Sequence, residues 1–189
     1  MVFLFIDEKE EVMEIKKKDV KVIILSGKAR AGKDTTAIFM KDYYESKDLK
    51  VVILQYSSSF KEYTKKITGW DGSDETNPRE FLQMLGTSII REKIDEEFVI
   101  KRMIQDIEVY SYFYDVVIIS DARVVKEIEM IRDNFSRVTS INILRPDYES
   151  RLSSEQKNHI TETELDEYND FDYVLYNDKG LDELKDKSS

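Results

Sequence analysis

Residues 26–35 read Ser26-Gly27-Lys28-Ala29-Arg30-Ala31-Gly32-Lys33-Asp34-Thr35, with four residues between two glycines and a lysine directly after the second. Glycines let a backbone curl so that successive N–H groups point at one anion. The N-terminus of a following helix adds positive potential, and a lysine at this spacing reaches the outer oxygens of a polyphosphate. The chemistry implied is the binding of ATP with Mg²⁺. The usual pattern places Ser or Thr directly after the lysine, whereas here Asp34 intervenes before Thr35. A helix N-terminus tolerates an anion, so Asp34 could hold the metal directly or through water, with Thr35 supplying a hydroxyl.

Two further groups carry chemistry. Ser120-Asp121-Ala122-Arg123 follows an apolar run, which puts Asp121 at a strand's carboxyl end, where open α/β sheets bind ligands. One reading gives Asp121 a role in organising magnesium or water and Arg123 a phosphate contact; the other makes Asp121 a cap for the next helix. Arg79, Gln83, Thr87 and Arg91 follow one another at i+4, a stripe that either holds an anion or forms a solvated helix face.

The elements that must position these groups are legible as five short apolar runs: Val22 to Leu25, Val51 to Leu54, Val116 to Ile119, Ile141 to Leu144 and Tyr173 to Tyr176. They predict buried strands. Stretches of helical spacing lie between them; Val124, Ile128, Ile131 and Phe135 form one apolar face. Alternating strand and helix predicts a parallel α/β sandwich. The first run leads straight into the glycine turn, and Thr35 to Tyr44 has helix-compatible composition, which is the context the phosphate-binding motif requires. Asn77-Pro78-Arg79-Glu80 predicts a helix start, with Asn77 as cap and Pro78 in the first helical position, running to about Arg91. Residues 1–20 read as a charged extension before a domain over 21–189, and Lys185 to Ser189 as a loose end.

Composition narrows the function. The chain has 189 residues, no Cys and a single His, His159, so thiol catalysis, His-dependent triads and the usual structural zinc sets are excluded or nearly so. A net charge of −10 opposes binding of a nucleic acid polymer, whose affinity comes largely from Lys and Arg. No apolar run approaches the roughly twenty residues of a membrane span, and no export signal is visible, so the expected location is cytoplasmic, with no membrane partner. An Asn-Lys-x-Asp string and an Asp-x-x-Gly string, expected of a guanine-specific switch, do not occur.

Gly27 to Thr35, with Asp after the lysine, resembles the P-loop of deoxynucleoside monophosphate kinases of the phage and bacterial type, and is similar to that of animal-type phosphomevalonate kinases. The resemblance extends to Lys61, to Arg79, Gln83, Gly86, Thr87 and Arg91, to Asp121-Ala122-Arg123 with Glu127, and to His159-Ile160-Thr161-Glu162. It implies a three-layer P-loop NTPase fold, adenylate-kinase-like, with a five-stranded parallel sheet and the P-loop strand central. An acceptor-binding insertion over about 56–91 would use Lys61, Arg79, Gln83 and Arg91, with Phe60 or Trp70 beside a base. A lid over about 145–164 would close Arg145 and Arg151 on the phosphates, and Tyr176 and Asn177 fall where such kinases contact adenine. The activity implied is transfer of the γ-phosphoryl of ATP to a small phosphorylated acceptor, a nucleoside monophosphate or another metabolite such as phosphomevalonate, by a monomer or homodimer. Lys33, Arg30, Arg123 and Mg²⁺ would neutralise the charge that develops in transfer, with Asp121 as organiser. A nucleotide-dependent switch or ATPase is the alternative class.

Overall fold

The computed structural model describes residues 15–73, 75–146 and 163–188. Strands β1 (Lys21–Ser26), β2 (Val51–Leu54), β3 (Val116–Ala122), β4 (Val138–Leu144) and β5 (Tyr173–Tyr176) contain all five apolar runs. They form one sheet in the order β2-β3-β1-β4-β5, every neighbouring pair parallel, with β1 at the centre. Parallel strands joined by helices are covered on both faces, which is why the inner runs of β1 and β3 are continuously apolar rather than alternating. The expected burial fails at the edge strand β5, where Tyr173, Val174 and Tyr176 are exposed and only Leu175 is buried.

The helices are α1 (Lys33–Glu45), α2 (Ser58–Thr68), α3 (Arg79–Gln83), α4 (Phe98–Tyr110), α5 (Val125–Asn134) and α6 (Leu181–Lys187), with a 3-10 turn at Glu164–Asp166. On one face of the sheet, Val22, Ile24, Val117 and Ile119 pack with Met103 and Ile107 of α4 and with Ile128 and Ile131 of α5. On the other, Ile23, Leu25, Ile118 and Ile143 pack with Ala37 and Met40 of α1 and Leu184 of α6. These are the three layers. Val20, 3% exposed, already belongs to the first core, and Lys18 ties its backbone to Ser111 and its ammonium to Asp115.

Three local expectations need correction. Pro78 stands before the first helical residue, Arg79, so it caps the helix rather than opening its first turn, and no side-chain cap bond forms there. The helix ends at Ile94, three residues past the expected end at about Arg91, but it is not an α-helix throughout: beyond Gln83 it is wound as a π-helix over Met84–Ile94. Its i→i+5 bonding puts more residues in each turn than the 3.6 of an α-helix, so side chains four apart stand more nearly one above another. Residues 185–188 are not loose either, since α6 runs to Lys187 and Ser188 is buried, its hydroxyl donating to the Leu184 carbonyl at 2.6 Å; Ser189 lies outside the described residues.

Because all strands run the same way, their carboxyl ends share one edge of the sheet. The residues immediately after β2, β3, β4 and β5 are Gln55, Arg123, Arg145 and Asn177, and all four line a single cavity there. β1 delivers the glycine turn to the same edge, between the two halves of the sheet, where strand order reverses and ligands of such folds bind.

Candidate active site

The glycine turn is held from both sides. Gly27 has φ +140°, and a Cβ there would come within 2.4 Å of the Ile143 carbonyl oxygen, so the close passage of the turn over β4 demands glycine. Gly32 has φ +108°, and Arg30 is left-handed at φ +62°. Asn177 donates from its side-chain amide to the Ala31 carbonyl at 2.9 Å while its own N–H bonds Leu144, linking the turn to the end of β4. Arg145 donates to the Arg30 carbonyl at 3.3 Å. Lys33, 7% exposed, folds across the turn and donates to the carbonyls of Gly27 and Lys28 at 2.7 and 2.9 Å.

The cavity has a volume of about 950 Å³. Its floor is the turn and the start of α1: Ala29, Arg30, Gly32, Lys33, Asp34 and Thr35. One end is closed by Asn177, Asp178, Gly180, Leu181 and Leu184; the other by Phe60, Lys61, Asn77, Arg79, Leu82, Gln83, Gly86, Thr87 and Arg91. The whole polar stripe of the α3 and π-helix segment therefore faces the cavity rather than bulk solvent. Phe60 packs on Gly86, where a Cβ would approach its ring to 3.1 Å, so the aromatic wall and the π-helix meet through the missing side chain.

Beneath the cavity lies a network of polar bonds. Ser120 donates to Asp34 Oδ1 at 2.9 Å, and Gln55 Nε2 reaches the same oxygen at 3.1 Å. Asp121 accepts the backbone N–H groups of Tyr56 at 2.7 Å and Ser57 at 3.0 Å, one on each carboxylate oxygen. It thus fixes the turn that leads into α2 and does not cap the helix that follows it in sequence. That task falls to Glu127, whose Oε2 accepts from the N–H groups of Arg123 at 2.7 Å and Val124 at 3.3 Å. The other oxygen of Glu127 takes the Arg91 guanidinium at 2.6 Å, and Tyr56 donates to its backbone carbonyl. Full burial pushes the Glu127 carboxyl up to about 7, with the Arg91 guanidinium and the Arg123 N–H pulling against it and the Asp121 charge adding to it. Burial also raises the Tyr56 phenol well above its ordinary value.

Magnesium fits this donor set. Among the described residues no group of three or more His, Cys, Asp or Glu side chains forms a cage. Mg²⁺ needs none, because it keeps several waters and binds through one or two carboxylates together with substrate phosphates. Asp34, Thr35 and Asp121 all line the cavity. Ser120 and Gln55 fill Oδ1 of Asp34 and leave its Oδ2 as the ligand atom, while each oxygen of Asp121 keeps a lone pair beyond the one bond it accepts.

The placement of the remaining candidates is mixed. Gly27 and Lys28 line a smaller cavity of about 310 Å³ behind the turn, with Tyr176 and Arg123 at its wall, and Lys28 pairs there with Asp166 at 2.8 Å. Ala31 is buried beneath the turn. Trp70 does not line the main cavity; its indole instead donates to the Ser73 carbonyl at 3.1 Å. Arg151, His159 and most of the expected lid lie outside the described residues. Gln55 and Ser120 were given no role by the sequence. Their only signal is position, a polar residue just past one apolar strand and another inside the carboxyl end of a second.

A family model described as deoxynucleotide monophosphate kinase matches residues 50–188, well over half of the chain. The match begins beyond the glycine turn, so the turn and the family are separate observations. No curated protein matches the sequence. Among solved structures, the chain is similar to a sugar kinase from Janibacter sp., at 13% identity over 89% of this chain and 92% of that one, with a TM-score of 0.56. It is also similar to the Mycobacterium tuberculosis APS kinase in complex with AMPPNP and APS, at 11% identity over 90% and 95%, with a TM-score of 0.52. These likenesses bear on the fold. With its phosphate-binding turn at the centre of a kinase fold and the family match over the rest, the chain is a phosphotransferase of the P-loop kinase type and belongs to the deoxynucleotide monophosphate kinase family.

Proposed function

We propose that the protein transfers the γ-phosphoryl of ATP to a nucleoside or deoxynucleoside monophosphate. The observation that carries this reading is the single cavity that joins the glycine turn to the stripe Arg79, Gln83, Thr87 and Arg91. Donor and acceptor phosphates can share one cleft there, and positioning them in line accounts for much of catalysis in phosphoryl transfer.

The turn and Lys33 receive the β and γ phosphates, with Arg30 and Arg123 beside them, and the adenine lies toward Asn177, Leu181 and Leu184. Lys61, Arg79 and Arg91 hold the acceptor phosphate, while Phe60 and Leu82 offer the base an apolar wall bordered by the amides of Asn77 and Gln83. A phosphate monoester loses its second proton near pH 6, so the acceptor oxygen arrives ionised and needs no strong base. It attacks the γ phosphorus as the bond to the β–γ bridging oxygen breaks; ADP leaves, and the acceptor becomes a diphosphate. Asp34 with Thr35 and Asp121 would hold Mg²⁺, which would supply charge neutralisation in the transfer. Asp121 also keeps Tyr56 and Ser57, and hence the start of α2, in place.

The test is a coupled ADP-release assay with ATP and Mg²⁺ against nucleoside monophosphates, deoxynucleoside monophosphates and phosphomevalonate. Turnover on a nucleotide, reduced by at least about a hundredfold in Lys33→Ala, is expected. ATP binding with no nucleotide phosphorylated would sink the proposal, and turnover on phosphomevalonate alone would replace it.

A further inference from the structure

Gln55 stands where the two halves of the cavity meet. Its amide oxygen accepts from the Lys61 ammonium at 3.0 Å, and its amide nitrogen donates to Asp34 Oδ1 and to Ser120 Oγ, both at 3.1 Å. Ser120 closes a ring by donating to the same Asp34 oxygen at 2.9 Å. The chemistry of the neighbours dictates the orientation of the amide. An ammonium only donates and an ionised carboxylate only accepts, so the oxygen must face Lys61 and the nitrogen must face Asp34. A carboxylate at position 55 would set like charges against each other, and an aliphatic side chain would make neither bond.

The two residues tied together belong to different tasks. Asp34 lies in the first turn of α1, directly after the phosphate-binding lysine, and Lys61 lies on α2 at the acceptor end. We propose that Gln55 is a positioning residue that couples the nucleotide half of the cavity to the acceptor half, holding Asp34 and Lys61 in register through the two ends of one amide. The inference rests on the phosphotransferase reading above and deepens it. When Lys61 turns to an acceptor phosphate it releases the amide oxygen, which changes the constraint on Asp34. Binding on each side thereby alters affinity on the other, and by the same factor in both directions.

The test is a double-mutant cycle on the full chain, reading the affinity for a non-hydrolysable ATP analogue with Mg²⁺ by calorimetry. The proteins are wild type, Gln55→Met, which keeps the volume and makes neither bond, Lys61→Met, and the double variant. Lys61→Met is expected to change nucleotide affinity about threefold or more when Gln55 is present and not to change it when Met stands at 55, the non-additivity that marks coupled sites. In steady state, Gln55→Met is expected to lower kcat about tenfold with each KM within about threefold, the split expected of lost alignment. Gln55→Glu should fall lower still, and a melting temperature matching wild type excludes a damaged fold. Effects of the two substitutions that simply multiply, or wild-type kcat in Gln55→Met, overturn the inference while leaving the kinase reading intact. If the wild-type protein phosphorylates no nucleotide, the kinase reading fails instead, and the binding cycle still decides the coupling.

Discussion

Replacing Glu127 by Gln removes one titration from the junction of β3, α5 and the π-helix while keeping the shape of the side chain. Glu127 is 2% exposed, and burial, with a contribution from Asp121, outweighs the pull of Arg91 and of the Arg123 and Val124 N–H groups, raising the carboxyl from the ordinary 4.5 to about 7. A carboxyl that holds its proton more tightly folded than unfolded stabilises the fold most below 4.5. That contribution is lost as pH rises through about 7. Each tenfold in proton affinity is worth about 1.4 kcal/mol, so the full loss is about 3 kcal/mol, falling mostly between about pH 5 and pH 7. Gln has no such loss. Urea unfolding of both proteins across this range should show the wild-type stability, minus that of Glu127→Gln, dropping by about 2–3 kcal/mol from about pH 5 to about pH 8. A flat difference, or one that grows with pH, would refute the reasoning and show that the ion pair with Arg91 holds the carboxylate ionised against burial.

Gly27→Ala forces a Cβ to within 2.4 Å of the Ile143 carbonyl at φ +140°; a loss of about 2 kcal/mol in stability and of nucleotide binding is expected, read by thermal unfolding with and without ATP. Arg132 on α5 bonds Tyr168, Ser140, Asp170 and Asp172 at 2.6 to 3.1 Å, and none of these residues lines the main cavity. Arg132→Met should cost about 2–4 kcal/mol by stranding these partners while kcat stays within about twofold of wild type, and a large fall in kcat at full stability would contradict that division.

The inner strands were legible because they are buried on both faces: Val116 to Ile119 cannot be anything but apolar there, whereas β5 was legible only by its branched and aromatic run, since Tyr173, Val174 and Tyr176 stand exposed. The turn was legible because Gly27, Gly32 and Lys33 each answer a separate geometric demand. The π-winding was not, since the apolar positions Leu85 and Ile90 that face inward do not distinguish one helical period from another over so short a span. Nor were the bonds of Asp121 to Tyr56 and Ser57, of Glu127 to Arg91, or of Gln55 to Asp34, because their partners lie 21 to 65 residues apart in the chain. The aromatic beside the acceptor end was half legible: Phe60 lies in the cavity, whereas Trp70 satisfies its indole locally, at Ser73.

The two bonds that Lys33 makes across its own turn set up an internal competition. The carbonyls of Gly27 and Lys28 occupy two of the three donors of the ammonium that, on the proposed function, meets an incoming phosphate, so the chain would carry a weak substitute ligand within the site. Measured nucleotide affinity is then the intrinsic affinity scaled by the fraction of molecules in which the ammonium has let go. Part of the binding energy of each nucleotide would then be spent on displacing the protein from itself.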